Sequence, residues 1–389
     1  HGTIQPYAWG GHDYIPQLLR REPSNLPAAE LWFGDHPQAP SQIEADGITL
    51  PFNDWLQKTP AHALSPTSRA CYGDRLPYLL KILDVRLPLS IQVHPDKTQA
   101  EAGYAREEAA GISQGAANRN YPDDNHKPES MIALGDFWLL HGFAPLNTIE
   151  ERLASRPSLA TIAHLIRARG LKEAYTHIMQ IPRSTVTTWL KPLLDAPAPH
   201  TPCDNPDYWL HETMRLMRID PLHPDHGLLS FYLMNIVHMQ NGEGIFQRAR
   251  LPHAYLRGQN IELMAASNNV LRAGLTHKHV DVPELLRILD PTASPPTRIA
   301  PERVSRAVST FYAPVDDFEL SDVHLRDANV RERIRGVGPR TVVCLNGAAQ
   351  LEANGQVVDV SAGQAVFVPS CDGPLAARGF GHLVQAAVP

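Results

Sequence analysis

A row of polar side chains inside an apolar stretch is the feature that most constrains this chain. The stretch Leu87–Asp96 reads LPLSIQVHPD and predicts one buried β-strand that ends at Pro95. Because side chains alternate faces along a strand, Ser90, Gln92 and His94 are expected on the same face. A hydroxyl, an amide and an imidazole on a buried face cost free energy unless they are paired or bind a ligand. The pattern therefore indicates a binding site.

Two later stretches repeat this pattern. In HKPESMI, Lys127 shares a strand face with Glu129, and in LPHAYL, His253 shares one with Tyr255. For any single histidine among the 19 in the chain, an ordinary structural role is the simpler interpretation, so the prediction depends on three segments converging. Two imidazoles, a carboxylate and an amide oxygen suit a borderline divalent metal, with zinc as the leading candidate. The predicted ligands are Gln92, His94, Glu129 and His253.

Composition excludes several classes of function. At 389 residues the chain can form two or three domains, each with a sizeable core. A net charge of -6 argues against a general nucleic-acid binder. The longest apolar run, Gly227–Val237, is too short to span a bilayer and predicts a core strand, so we expect no membrane association. The four cysteines form no CxxC pair, which favours a cytoplasmic location and disfavours a cysteine–zinc site.

The apolar period changes from strand to helix near Asn147. Thr148–Glu151 fits a capping box, apolar residues follow at helical spacing, and Gly170 is a candidate helix end. This predicts an all-helical insertion inside a β protein. Strand character resumes at about Gly227, and a proline-rich stretch at 291–301 predicts a linker.

The C-terminal part predicts a second β unit of short strands. Asn354-Gly355 lies between alternating segments and predicts a hairpin. A weak repeat relates this part to the first β unit, but no histidine occurs from Arg326 to Gly381, so we expect a structural copy without a metal site. Double-sheet units of this length suggest jelly rolls. The predicted domains are 1–146 with 225–290, the helical insertion 147–224, and 302–389.

Six motifs in order along the chain resemble the type I phosphomannose isomerase family. They are YAWG at 7–10, AELWFGDHP at 29–37, LSIQVHPDK at 89–97, NHKPE at 125–129, PHAYL at 252–256 and NVLRAGLTHK at 269–278. PVDDFEL at 314–320 adds to the resemblance. The resemblance implies a mainly β fold of two cupin-type jelly-roll units with an all-helical insertion. It also implies an aldose–ketose isomerase that interconverts mannose 6-phosphate and fructose 6-phosphate through an enediolate.

The resemblance also implies roles for individual residues. The four predicted ligands would bind one zinc ion per chain, and Arg272 would stabilise the enediolate. The candidates for the general base are a metal-bound water, Glu262, and His94 if it is not a ligand. We expect a monomer whose partner is a small phosphorylated sugar. Tyr255 joins Arg272 and Glu262 as a catalytic candidate, and the substrate-binding candidates are Ser90, Lys81, Lys127, Lys278 and Trp9.

One departure from the family pattern keeps other functions open. The family usually has Ser-Asp-Asn where this chain has Ser267-Asn268-Asn269, so a carboxylate is absent four residues before Arg272. A non-catalytic sugar-phosphate sensor is therefore one alternative. A second alternative is an iron-dependent cupin oxygenase, because two histidines and one carboxylate form the ligand triad of such enzymes.

Overall fold

The computed structural model describes residues 1–201, 204–336 and 338–389. The strands up to residue 299 are β1 (Thr3–Gln5), β2 (Glu30–Phe33), β3 (Gln42–Ala45), β4 (Ile48–Pro51), β5 (Tyr78–Val85), β6 (Gln92–Val93), β7 (Glu129–Ala133), β8 (Phe137–Phe143), β9 (Met234–Met239), β10 (Gly244–Gln247), β11 (His253–Ala265), β12 (Leu271–Arg272) and β13 (Arg298–Ile299). The later strands are β14 (Glu302–Arg303), β15 (Val308–Phe311), β16 (Glu319–Ile334), β17 (Arg340–Ala353), β18 (Gln356–Ser361), β19 (Ala365–Val368) and β20 (Leu375–Ala387).

Of the eleven α-helices in the described part of the chain, five lie between β8 and β9. The helices are α1 (Tyr14–Leu18), α2 (Phe52–Lys58), α3 (Pro60–Ala63), α4 (Pro66–Tyr72), α5 (Lys97–Ala109), α6 (Leu146–Ala154), α7 (Ala160–Gln180), α8 (Arg183–Leu194), α9 (Pro206–Leu216), α10 (Ser230–Leu233) and α11 (Val282–Ile288). In the part of the chain that the structure describes, no helix is long and apolar enough to cross a membrane.

Strand β11 holds the first jelly roll together because it belongs to both of its sheets. Its first half pairs with β6 and β8, and its second half pairs with β5 and β7. The pairing register with β8 shifts between Tyr255 and Arg257, where the strand passes from one sheet to the other. One sheet has the order β1-β2-β5-β11-β7-β10-β13, and the other runs β12-β6-β11-β8-β9. Residues from the two ends of β11 therefore point into the same interior.

Separate apolar cores pack between the two sheets and on the outer face of each. Between the sheets, one core packs side chains such as Leu83 and Met131 against Leu139 and Val237. The outer face of the β6–β8 sheet packs on the helices. The outer face of the β5–β7 sheet packs on the C-terminal unit, which has a further core of its own. Because the inner face of the β5–β7 sheet packs in the first core and its outer face packs on the C-terminal unit, every residue of β5 is buried.

Several predicted elements have different bounds in the structure. The predicted strand Leu87–Asp96 is wrong in extent, because only Gln92–Val93 forms ladder pairs. The predicted core strand Gly227–Val237 begins with helical turns, and strand pairing starts at Met234. Periodicity cannot separate a short buried helix from a buried strand, which explains this error.

Helix-end predictions had mixed outcomes. The predicted capping box at Thr148 is wrong, since α6 already begins at Leu146. Gly170 interrupts α7 with a φ of 84°, as a helix end requires, but a second helical stretch follows at once. Asp281 caps α11 as predicted, because its side chain accepts a hydrogen bond from the backbone N–H of Glu284.

The C-terminal unit is a separate antiparallel sheet with the order β14-β15-β16-β20-β17-β18, and β19 pairs with β17. The predicted hairpin is confirmed: Ala353 pairs with Gln356, and Asn354 and Gly355 have φ angles of 48° and 75°. Positive φ at both central residues is the conformation that Asn-Gly favours. The fold class, mainly β with a helical region, is confirmed. The domain boundaries stay a prediction.

We predict that Gly258→Ala destabilises the protein more than Gly355→Ala. Both glycines have positive φ, so both substitutions carry backbone strain of about 1–2 kcal/mol. A Cβ on Gly258, just past the register shift in β11, would lie 2.5 Å from the carbonyl oxygen of Asp136, whereas a Cβ on Gly355 meets no atom within 4 Å. Overpacking should add about 1–3 kcal/mol at Gly258. Urea unfolding of both variants measures the difference, and equal losses would contradict the prediction.

Candidate metal centre and substrate cleft

Three buried side chains converge between the sheets. Glu129 is the first residue of β7, His253 is the first residue of β11, and His94 follows β6. The His94 Nε2 lies 3.3 Å from Glu129 Oε1, and the His253 Nε2 lies 3.3 Å from Glu129 Oε2. The ligand atoms of the three residues lie within 4.8 Å of one another. Each carboxylate oxygen therefore faces one imidazole nitrogen.

The hydrogen bonds of the two imidazoles fix which nitrogen carries the proton. His94 Nδ1 lies 2.8 Å from the carbonyl oxygen of Asn269, and His253 Nδ1 lies 3.0 Å from that of Leu251. Each Nδ1 must donate to its carbonyl, so in the neutral form of either ring the Nε2 lone pair is directed toward Glu129. Burial, with the charge of Lys127, lowers the pKa of His94 to about 4, so this ring is neutral at pH 7.

The inward lone pairs fit a cation at this position. Among the described residues, none forms a hydrogen bond with the buried His94 Nε2. Two imidazole lone pairs and a carboxylate that face one another without donors repel, and a buried acceptor left unpaired is costly. A divalent cation with nitrogen and oxygen ligands satisfies all three groups. The donor set therefore fits the predicted metal.

The strand register places the amide of Gln92 beside this centre. Gln92 pairs with His253 of β11 on one side and with Arg272 of β12 on the other. Side chains of cross-strand partners lie on the same face of a sheet. Gln92 is thus adjacent to one proposed ligand, and Arg272 is the next residue along the same row.

Glu129 is held ionised although it is fully buried. Burial opposes its ionisation, but the Lys127 ammonium, 3.2 Å from Glu129 Oε1, brings its pKa well below the ordinary value. A carboxylate that stays charged at neutral pH can bind a cation without first losing a proton.

A second buried ion network lies on the same interior face. Lys81 Nζ donates to Glu262 Oε2 at 3.0 Å and lies 3.6 Å from Glu30 Oε2. Glu262 Oε1 accepts a hydrogen bond from Tyr255 at 2.8 Å, and Tyr255 accepts one from Gln247 at 2.9 Å. Burial, together with the charge of Glu129, raises the pKa of Glu262, while Lys81 opposes this shift. Lys81, Glu262 and Tyr255 are thus joined in one hydrogen-bonded network.

A cleft of about 1030 Å³ opens onto this interior. It brings together most of the sequence-predicted site residues, while His94, Glu129, His253, Tyr255 and Glu262 are buried and do not line it. The predicted residues that line the cleft are Trp9, Lys81, Ser90, Gln92, Lys127, Arg272 and Lys278.

Four of the sequence-predicted residues that line the cleft are cations, and they form two different pairs. Lys81 and Lys127 are paired with buried carboxylates. Arg272 and Lys278 form no ion pair or hydrogen bond through their side chains with the residues that the structure describes, and the charge of Arg272 adds to burial in lowering the pKa of Lys278. Two unpaired cations near each other make a region of the cleft that attracts anions.

The segment around Asn268 is held by Asp123. The Asp123 carboxylate accepts hydrogen bonds from the Ser267 hydroxyl and from the Asn268 backbone N–H, both at 2.7 Å. The Asn268 side-chain oxygen lies 2.9 Å from His36 Nε2 at the edge of the cleft. The amide at this position is therefore already engaged with an imidazole.

Sequence reasoning missed several residues of the site. Glu30 and Trp32 alternate on β2, and the Trp32 indole N–H donates to Glu30 beside Lys81. The alternation in AELWF was the signal that could have found them. The cleft wall also includes Met217 and Arg218 at the end of α9, so the helical segment contributes to the site. Only the tertiary structure brings that segment there.

The comparisons with known proteins agree with this geometry. A family model described as phosphomannose isomerase type I, catalytic domain, matches residues 1–146. The chain is 34% identical to the mannose-6-phosphate isomerase of Escherichia coli (strain K12) over 396 residues, which cover 98% of this chain and 97% of that protein. It is 31% identical to the mannose-6-phosphate isomerase of Macaca fascicularis, over 82% of this chain and 79% of that protein.

Solved structures show the same similarity. A zinc-bound mannose 6-phosphate isomerase superposes with a TM-score of 0.89 at 33% identity and covers 100% of this chain and 98% of that chain. A variant of phosphomannose isomerase from Salmonella typhimurium gives a TM-score of 0.90 at 32% identity with the same coverage.

Fold and site define a cupin-type protein with a buried centre of two histidines and a carboxylate beside a polar cleft. The chain belongs to the type I mannose-6-phosphate isomerase family, given its identity to relatives along nearly its whole length. The family predicted from the motifs is thus confirmed.

We predict that Lys81→Met is more damaging than Glu262→Gln. Removing the lysine leaves Glu262 and Glu30 buried without a cation, which should cost about 3–5 kcal/mol. In Glu262→Gln, Lys81 keeps Glu30 at 3.6 Å, so the loss should be about 1–3 kcal/mol.

The pH dependence tests the cause of this difference. Without Lys81, the folded-state pKa of Glu262 stands further above its unfolded value, so stability is lost as pH rises past the unfolded value. Denaturation at pH 5 and pH 8 should show a smaller defect for Lys81→Met at pH 5. A defect that is independent of pH would contradict the electrostatic explanation.

Proposed function

We propose that this chain is a zinc-dependent aldose–ketose isomerase that interconverts mannose 6-phosphate and fructose 6-phosphate through an enediolate. The observation that carries the proposal is the centre of His94, Glu129 and His253 beside a cleft with an unpaired Arg272, in a chain of this family. Family membership favours this function over the iron oxygenase and the non-catalytic sensor. The substrate is a small phosphorylated sugar, and the monomeric state stays a prediction.

Gln92, His94, Glu129 and His253 would hold the zinc ion. When bound, zinc supplies Lewis-acid polarisation of the substrate oxygens at C1 and C2. Three neutral ligands and one carboxylate leave the site with a net charge of +1. The amide ligand therefore preserves more of the positive charge than a second carboxylate would.

Arg272 is placed to stabilise negative charge next to this centre. It is the cross-strand neighbour of Gln92, and strands lie about 4.8 Å apart, so its guanidinium can reach the same oxygens. Burial lowers the pKa of Arg272, but a guanidinium remains charged at neutral pH. It can therefore stabilise the enediolate without giving up a proton.

Glu262 is our candidate for the group that moves the proton between C2 and C1. Its raised pKa brings the carboxylate closer to the pH range in which a general base is effective. Lys81 and Tyr255 each donate to one of its oxygens, which fixes its orientation. The inward Nε2 lone pair of His94 supports a ligand role for that residue instead.

We place the phosphate toward the mouth of the cleft. Lys278 is exposed there and has no carboxylate partner among the described residues, and the Ser90 hydroxyl and the Trp9 ring form parts of the wall. Lys81 and Lys127 stay candidates, but each would have to share its charge between the phosphate and a buried carboxylate. On this arrangement, Lys127 serves mainly to keep Glu129 ionised.

We predict that Glu129→Gln loses the zinc of this centre and at least 10²-fold of isomerase activity, because the only charged ligand is removed. Zinc content by mass spectrometry and a coupled assay for fructose 6-phosphate measure both effects. The control is Glu243→Gln, which removes an exposed carboxylate paired with Arg298 at 3.1 Å and should change neither. Full activity in zinc-free protein would refute the proposed function.

We predict that substitutions of Arg272 and Lys278 have different kinetic effects, on catalysis and on substrate binding respectively. Arg272→Ala should mainly lower kcat, because its partner charge exists only in the transition state. Lys278→Ala should mainly raise KM, by about 10-fold, which corresponds to the loss of one charge-assisted contact of about 1.5 kcal/mol. Steady-state kinetics of both variants distinguish the roles. Equal increases in KM with unchanged kcat would show that Arg272 is only a binding residue.

A further inference from the structure

A second cluster of histidines and a carboxylate lies in the C-terminal unit. Asp322 and His324 are two residues apart on β16, so their side chains share a face. His382 on β20 is the cross-strand partner of His324, and the two rings stack with centroids 4.1 Å apart and planes at 18°. The His324 Nε2 lies 2.9 Å from Asp322 Oδ2, and the His382 Nε2 contacts Asp322 Oδ1.

This cluster repeats the donor pattern of the catalytic centre. In both places each oxygen of one carboxylate faces the Nε2 of a different imidazole. An amide residue is the cross-strand partner of one histidine in both places: Gln92 opposite His253, and Asn346 opposite His382. Two sets of two imidazoles, one carboxylate and one amide are thus found among the residues that the structure describes.

The cluster is built around a buried anchor and is open to solvent on one side. The side chain of Asp322 is 9% exposed, whereas those of His382 and His324 are 21% and 43% exposed. An ion could therefore arrive from solvent and meet a fixed carboxylate. None of these residues lines the substrate cleft, so the cluster is separate from the proposed isomerase site.

We propose that Asp322, His324 and His382 form a second site for a borderline divalent cation such as Zn²⁺, with Asn346 as the candidate fourth ligand. Two imidazoles and a carboxylate are the donors that such ions prefer. To bind an ion, each ring must carry its proton on Nδ1. Among the hydrogen bonds of the described residues, none engages Nδ1 of either ring, so both rings are free to adopt that tautomer.

The site would join two long strands of the C-terminal sheet. On the same faces of β16 and β20, Leu320 and Val384 belong to the apolar core that packs the C-terminal unit on the β5–β7 sheet. A metal bridge between β16 and β20 would therefore stiffen the sheet next to that contact. This is a structural role, and it predicts unchanged isomerase activity when the site is removed.

The test counts zinc ions in the whole protein. Protein equilibrated with excess Zn²⁺ and freed of unbound ion by gel filtration is measured by elemental mass spectrometry. We expect wild-type protein to hold at least two zinc ions per chain and His382→Asn to hold one fewer, with unchanged kcat and KM. His324→Asn should give the same loss, which guards against misfolding of a single variant.

Two control variants test whether the loss of zinc is specific to the proposed second site. His238→Asn removes an imidazole that also stacks on an aromatic ring and pairs with an aspartate, Asp136, but belongs to no metal-ligating group among the described residues. Cys371→Ser alters an exposed cluster with His62 and Asp372. Both variants should match the zinc content of wild type. A wild type with one zinc, or His382→Asn with as many as wild type, would overturn the proposal and leave a hydrogen-bonded His–Asp–His cluster.

Discussion

The catalytic half of the protein depends on opposite charges paired inside an apolar fold. Burying a lone carboxylate or ammonium is prohibitively costly, so each buried charge needs a partner. Glu129 faces Lys127 and two imidazoles, and Lys81 faces Glu262. The two networks lie on one interior face, since β11 carries Glu262 directly opposite Lys81 and Met264 directly opposite Glu129. A substitution of one charged residue therefore changes the electrostatic environment of the others.

The surrounding layers make this polar interior possible. Helices cover the outer face of one sheet, and the C-terminal unit covers the outer face of the other. Most of the apolar burial of the two sheets is therefore on these outer faces. An apolar core also fills part of the space between the sheets, and the polar residues occupy the rest. Strand β11 must bend between the sheets for this arrangement, and Gly258, with a φ of 118°, lies just after the register shift. The conformation of one glycine is thus linked to the geometry of the site.

Sequence patterns predicted chemistry better than connectivity. Alternation along a strand predicted Gln92 and His94 on one face, and the donor types indicated a metal. In the structure, His253 is the cross-strand partner of Gln92, and its ring centroid lies 5.0 Å from that of His94. Alternation does not say which strands pair, so the contact of Lys81 with Glu30 was not predicted. The same limitation hid the C-terminal cluster. The interval from Arg326 to Gly381 contains no histidine, but the histidines just outside it meet because β16 pairs with β20. Some of the predicted strand extents and helix ends were wrong because a short apolar run is compatible with either a helix or a strand.

The departure at Asn268 changes the charge of the cleft edge while its backbone contacts are held in place. His36 Nδ1 lies 3.3 Å from the backbone N–H of Gln38 and accepts from it, so His36 Nε2 carries the proton and donates to the Asn268 oxygen. Burial lowers the pKa of His36, which keeps the ring neutral beside an uncharged amide. The Asp123 carboxylate holds the backbone of the segment by accepting a hydrogen bond from the Asn268 N–H. An asparagine here can orient a neighbour but cannot take a proton. On the proposed mechanism, proton transfer is assigned instead to the buried Glu262, whose pKa is raised by burial.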